Sequence, residues 1–151
     1  MSGAGPRPRR TYAPGRWRSV GNRVMLPLVR AGLVPYTWML VTRGRTTGLA
    51  RKVPVTPVDQ DGRRWLVAPY GPVAWVHNAR AAGRVQLARR RDVRTYTVRE
   101  VTDPQQAARV LHRYVQVASA TRAYFSADRT DPADAFVADV ADHPVFELTP
   151  A

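Results

Sequence analysis

The chain has no cysteine among its 151 residues. Disulfides, thiolate metal sites and a cysteine nucleophile are thereby excluded, and the absence suits a reducing compartment. No apolar run approaches the roughly 18 residues that a membrane span requires. Lysine is almost missing: of 24 basic residues only Lys52 is a lysine. Acids are missing before Asp59, the first carboxylate, which eleven Arg or Lys precede. Familiar hydrolytic patterns are missing too. No Gly-x-Ser-x-Gly elbow, Walker loop or Rossmann glycine pattern follows a strand. His77, His112 and His143 lie far apart, without carboxylates at ligand spacing, so a metal centre is not expected. Asp128, Asp131, Asp134, Asp139 and Asp142 are too spread for a paired-carboxylate engine and read as helix caps or a solvated face. Any chemistry must then be carried by a cofactor.

What is present starts with charge. The net charge is +13, concentrated in the first half, while seven acids face four arginines from Asp103 onward. A basic half of this kind suits an anionic small molecule, an anionic lipid surface or nucleic acid. Nucleic acid is the weakest of these, because no recognised motif is present and aromatics do not interleave with the cations. The length fits one domain. Residues 1–15 are rich in Pro, Gly and Arg and lack periodicity, which predicts a flexible basic arm ahead of a domain over 16–151. Arg9-Arg10 invites an export reading, but no apolar stretch follows. A cytoplasmic protein is expected.

Trp17, Val20, Val24 and Leu28 recur at helical spacing, interrupted by Pro27. Tyr36 to Thr42 is β-branched and aromatic, a strand. Lys52 to Val58 alternates and carries two prolines, which argues for an edge or a bulge. Asp61-Gly62 marks a hairpin turn into a strand over Arg64 to Ala68. Pro72 and Gly83 bracket a short helix. Strands follow over Val85 to Ala88 and Arg94 to Val101, about an Arg91-Asp92 turn. Asp103-Pro104 starts a helix with a buried stripe through Val110, Leu111, Tyr114 and Val115. Asp131-Pro132 repeats that start signal, and Pro144 to Leu148 closes as a strand. Hairpins with a few helices and no βαβ alternation predict a small α+β barrel, mostly antiparallel.

Two segments carry most information. Leu40 to Val55 leaves one strand and enters the next through Arg43-Gly44-Arg45-Thr46-Thr47-Gly48, then Arg51-Lys52. Its glycines let backbone amides approach a ligand, and such turns form anion-binding concavities. A solvated basic loop is the plainer alternative. Val67 to Gly83 ends a strand in a Pro69-Tyr70-Gly71 corner and enters a helix with Trp75 and Asn78 on one face. Either a planar ligand lies against Trp75 with an amide read by Asn78, or the tryptophan packs the core and the asparagine caps.

Together the segments resemble the deazaflavin (F420)-dependent nitroreductase family of split β-barrel oxidoreductases. Thr42, Gly44, Arg45, Gly48, Arg51 and Pro54 match its first motif, and Trp75, Asn78 and Arg80-Ala81-Ala82-Gly83 its second. The resemblance implies an FMN-binding-like split barrel with N-terminal, central and C-terminal helices. It implies a reductase that passes hydride from reduced coenzyme F420 to a nitro compound, quinone, enone or similar acceptor. Arg43, Arg45, Arg51 and Lys52 would hold phosphate and carboxylates of the coenzyme's acidic tail, and Thr46, Thr47 and Gly48 would add donors. Pro54 and Val55 would line the ring, Ala68, Pro69 and Tyr70 its opposite edge, and Trp75 and Asn78 would cover it. Tyr124 is the expected substrate contact or proton donor. The family's usual lysine is Thr46 here, and the corner before Trp75 is short. The resemblance also implies a homodimer. FMN is the alternative coenzyme, and an Arg-rich amphipathic helix with Trp17, Met25 and Leu28 is an alternative route to a membrane surface.

Overall fold

The computed structural model describes residues 36–151. The expected arm over 1–15 and the helix bearing Trp17, Met25 and Leu28 lie outside the described residues. Seven strands follow: β1 (Trp38–Arg43), β2 (Ala50–Val55), β3 (Val58–Gln60), β4 (Arg63–Val67), β5 (Arg84–Arg89), β6 (Asp92–Glu100) and β7 (Val145–Pro150). They form one sheet in the order β2-β1-β5-β6-β7-β4-β3, and every neighbouring pair is antiparallel. Two α-helices are interposed, α1 (Ala74–Ala82) and α2 (Pro104–Val117), with 3-10 segments at Ser119–Tyr124 and Ala133–Asp142.

The order of strands forces the sheet to curl. β2 and β3 are its two edges, yet only Thr56 and Pro57 separate them in the chain. Laid flat, seven strands would put the edges roughly 29 Å apart. The link from Val55 to Val58 reaches about 11 Å at most. A barrel-like cylinder is therefore the only shape the topology permits, as the α+β split-barrel expectation requires. The single strand expected over Lys52 to Val58 is in fact two. Pro57 cannot donate to a ladder, and the chain leaves one edge of the sheet there and joins the other.

Side chains of β4 and β7 alternate between two cores. Leu66, Phe146 and Leu148 face the barrel interior with Leu40, Val85, Leu87 and Tyr96, and α1 plugs this core with Trp75, Val76 and Ala79. Trp65, Val67 and Val145 face outward and are covered by α2 through Ala107, Ala108, Val110, Leu111, Tyr114 and Val115, joined by Phe125 and Phe136. The buried stripe expected for α2 is the one observed. Asp103 caps this helix, accepting from Gln105 N at 3.0 Å, with Pro104 next. α1 begins at Ala74, two residues later than Pro72 suggests, and ends at Gly83 in the left-handed conformation.

Two expectations need correction. Asp131-Pro132 leads into a 3-10 segment, because the Asp131 carboxylate accepts from Asp128 N at 2.7 Å and does not cap a helix. Asp139 is no solvated residue: it is fully buried and accepts from Ser126 N, Ser126 Oγ and Ala127 N at 2.9, 2.8 and 3.1 Å. Three donors stabilise the buried carboxylate.

Candidate functional site

Strand direction brings the two informative segments to one end of the barrel. β1 and β4 run the same way in the sheet, so the β1–β2 hairpin and the Ala68–Gly71 corner leave it at the same rim. α1 starts beside that corner and ends at β5. Asn78, in its middle, reaches back to the hairpin.

The hairpin is closed by Gly44 N to Leu49 O at 2.7 Å and Gly48 N to Gly44 O at 2.8 Å. Gly44 sits in close quarters: a Cβ there would meet Thr47 Oγ1 at 2.9 Å and Leu49 O at 3.2 Å. Thr47 Oγ1 accepts from Leu49 N at 3.3 Å. Asn78 is 2% exposed and Thr42 3%. The Asn78 amide donates to Thr42 Oγ1 at 3.2 Å, while its oxygen accepts from Arg45 N and from the Arg45 guanidinium, both at 3.2 Å. One side chain thus ties α1 to the strand end and to the hairpin tip.

Five arginines outside the hairpin have carboxylate partners. Arg63 and Arg99 pair with Glu147, Arg64 with Asp59, Arg80 with Glu100 and Arg94 with Asp92. Among the described residues, no ion pair involves Arg43, Arg45, Arg51 or Lys52. All four are exposed, as are Thr46, Thr47 and Gly48. Four uncompensated cations with exposed hydroxyls and glycine backbone fit a polyanionic tail. This is the fit that the chain offers to an acidic coenzyme.

The register divides the expected contacts between two faces. Thr42 pairs with Arg51 and Val41 with Lys52, so Arg51 lies on the interior side with Val53 and Val55, and Lys52 on the outer side with Pro54. Val53 and Val55 pack on the interior core. Opposite Pro54 stands Met39, which clusters with Ala88 and Val41 on the outer face.

Trp75 is 6% exposed and packs against Phe146, ring centroids 5.8 Å apart. The protein's own side chains thus surround the indole, and the asparagine three residues on is engaged with the hairpin. Ala68 is fully buried; Pro69 and Tyr70 are half-buried at the rim.

Tyr124 ends the first 3-10 segment. Its ring stands edge-on to Tyr70, centroids 4.8 Å apart and planes at 83°. The structure thus brings together two residues that sequence reasoning named separately. It also adds Tyr114 behind them, buried in α2, which receives a hydrogen bond from Thr121 Oγ1 at 3.1 Å. Burial pushes the Tyr114 hydroxyl well above the usual phenol range; the bond from Thr121 opposes this and the nearby Tyr70 adds to it. Tyr114 therefore stays neutral at physiological pH. Thr121 carried no sequence signal beyond its place after a helix.

Among the described residues, no three His, Cys, Asp or Glu side chains gather as a metal site, and no helix is long and apolar enough to cross a membrane.

Comparison with known proteins agrees with this fold. A solved structure described as an F420-H2 dependent reductase, FDR-A, is 21% identical, with a TM-score of 0.53 over 76% of this chain and 95% of that one. Another, described as a domain-swapped dimer, is 20% identical, with a TM-score of 0.56 over 91% of this chain and all of its own. HutZ, described as a haem storage protein from Vibrio cholerae, shares the fold at 12% identity, with a TM-score of 0.54 over 85% and 89%. No curated protein matches the sequence. The family model for F420H(2)-dependent quinone reductase matches residues 18–133. The chain belongs to that family, and is an F420H2-dependent oxidoreductase with coenzyme F420 as its cofactor.

Proposed function

We propose that this enzyme reduces a quinone, or a similarly flat unsaturated carbonyl or nitro compound, at the rim between the β1–β2 hairpin and the Tyr70–Tyr124 pair. The observation that carries this reading is the set of four cations without carboxylate partners at that rim. In the proposal, Arg43, Arg45, Arg51 and Lys52 hold the phosphate and carboxylates of the coenzyme tail, with Thr46, Thr47 and the Gly48 backbone as further donors. Asn78 and Gly44 keep the hairpin in shape for that task. Pro54 and Val55 offer apolar surface on either side of β2, and Pro69 and Tyr70 bound the site opposite. Trp75 and Ala68 act from beneath, as packing.

The bound coenzyme supplies a hydride. Reducing a quinone to a hydroquinone consumes that hydride and one proton, and the Tyr124 hydroxyl is placed in this reading as the donor to the acceptor oxygen. Half-buried aromatic rings give a flat acceptor apolar contact and exclude water from one side. A homodimer in a cytoplasmic setting belongs to the same proposal. Support for the dimer comes from the solved relative described as one.

Parallel fluorescence titrations of the purified protein with F420 and with FMN test the reading, followed by oxidation of F420H2 on adding the naphthoquinone menadione. Tight F420 binding with turnover is expected. FMN binding without F420 binding would reject it.

A further inference from the structure

We propose that Arg122 is a positioning residue for the acceptor side of this site, holding the turn that presents Tyr124 to Tyr70. The inference rests on the reading above that this tyrosine pair faces the acceptor.

The starting point is the C-terminus of α2. The last turn of a helix leaves carbonyls without intrahelical partners, and basic side chains commonly satisfy them. α2 has no basic residue in its last turn. Arg122, five residues past the end of the helix, folds back to supply one. Its Nε donates to Val115 O at 2.6 Å and its second terminal nitrogen to Gln116 O at 3.3 Å. A planar guanidinium with divergent N–H groups can serve two successive carbonyls at once, which an ammonium cannot do with the same geometry. The turn is thereby fastened two residues before Tyr124.

Thr121 fastens it a second time. It is 8% exposed, and its hydroxyl lies 3.1 Å from both Tyr114 Oη and Ala118 O. Downstream, Phe125 is 2% exposed and stacks on His143 at 4.2 Å, and Asp139 holds the amides of Ser126 and Ala127. Every neighbour of Tyr124 from Thr121 to Ala127, except the exposed Ala123, is tied to the body of the protein. Tyr124 itself stays half-buried with its ring against Tyr70. A side chain left at the surface of so firmly anchored a turn has its position set in advance, which is what orienting an acceptor demands.

The test compares Arg122→Gln and Arg122→Lys with the parent protein, using F420H2 and menadione. Arg122→Gln is expected to raise the menadione KM about tenfold, less than the roughly hundredfold that a full ångström of misplacement costs. The F420 dissociation constant should stay within about twofold, since the hairpin is untouched. Arg122→Lys should recover part of the loss, because one of the two carbonyl bonds survives. Hydrogen–deuterium exchange gives a readout independent of turnover: amides of residues 119–125 should exchange faster in Arg122→Gln, with those of α1 unchanged. If Arg122→Gln fails to fold, Thr121→Val, which removes the second fastening alone, replaces it with the same expected direction. An unchanged menadione KM, with or without a lower melting temperature, overturns the proposal. If Tyr124→Ala and Tyr70→Ala also leave that KM unchanged, the acceptor reading of the pair is what has failed, and Arg122 falls with it.

Discussion

Asn78 Oδ1 accepts two hydrogen bonds from one residue, Arg45, through its backbone amide and its guanidinium, each at 3.2 Å. The amide on the same side chain donates to Thr42. Replacing Asn78 with alanine therefore leaves a buried hydroxyl and the amide of Arg45 without their partner, at a cost of about 1–3 kcal/mol. The melting temperature should drop by several degrees, and F420 should bind more weakly because the hairpin loses its fixed shape. Calorimetry and fluorescence titration check both. A variant that melts as the parent does would show that the contact carries no stability.

Arg51→Ala and Lys52→Ala should each weaken F420 binding about two- to fivefold, since an exposed charge pair contributes up to about 1 kcal/mol. The double variant should lose the product of the two. Affinity of the parent should fall as salt rises and shortens the range of charge attraction. A deazaflavin lacking the phosphate and glutamates should bind equally to parent and variants. Sensitivity of that truncated ligand to either substitution would place the cations elsewhere than at the tail.

Trp75→Ala should act on folding. Removing a buried indole from a packed core costs about 3–5 kcal/mol, so thermal unfolding should shift by roughly 6–20 degrees for a domain of this size. Trp75→Phe should retain much of the stability and F420 affinity close to that of the parent. A large loss of affinity in a stably folded Trp75→Phe protein would restore the indole to the coenzyme surface.

Tyr124→Phe keeps the ring against Tyr70 and removes only the hydroxyl. If that hydroxyl donates the proton, kcat for menadione should fall by about a hundredfold while F420 affinity holds. Stopped-flow absorbance of the coenzyme measures the step. Full activity in Tyr124→Phe would leave the residue as a wall alone.

Tyr114 sets a pH limit. Its native hydroxyl ionises far less readily than the same group in the unfolded chain, whose ordinary pKa is about 10. Below that pH both states are neutral and the stability contribution is intact. Above it the unfolded state loses its proton first, so stability declines as pH rises through this alkaline range. Denaturant midpoints between pH 8 and 11 should show the decline, and Tyr114→Phe should flatten it.

What local chemistry can specify was legible beforehand. Asp61 and Gly62 both take positive φ, 55° and 69°, as an Asp-Gly hairpin demands. Asp103-Pro104 caps α2 for equally local reasons. What was not legible depends on distant partners. Nothing near Trp75 announces that Phe146 fills the space beside it. Nothing near Pro57 says that the next strand joins the opposite edge of the sheet. Asp139 looked like surface because its three donors lie a dozen residues upstream. The hairpin cations were visible in the sequence, whereas their lack of carboxylate partners, which singles them out from five paired arginines, appears only in three dimensions.

The placement of Arg51 and Lys52 on opposite sides of β2 matters because β2 is a sheet edge. A molecule gripped by both meets the strand from its two faces at a free edge. A flexible string of carboxylates can follow both flanks of such an edge. Reach of the bound anion, as well as its total charge, would then bear on which redox carrier the protein retains.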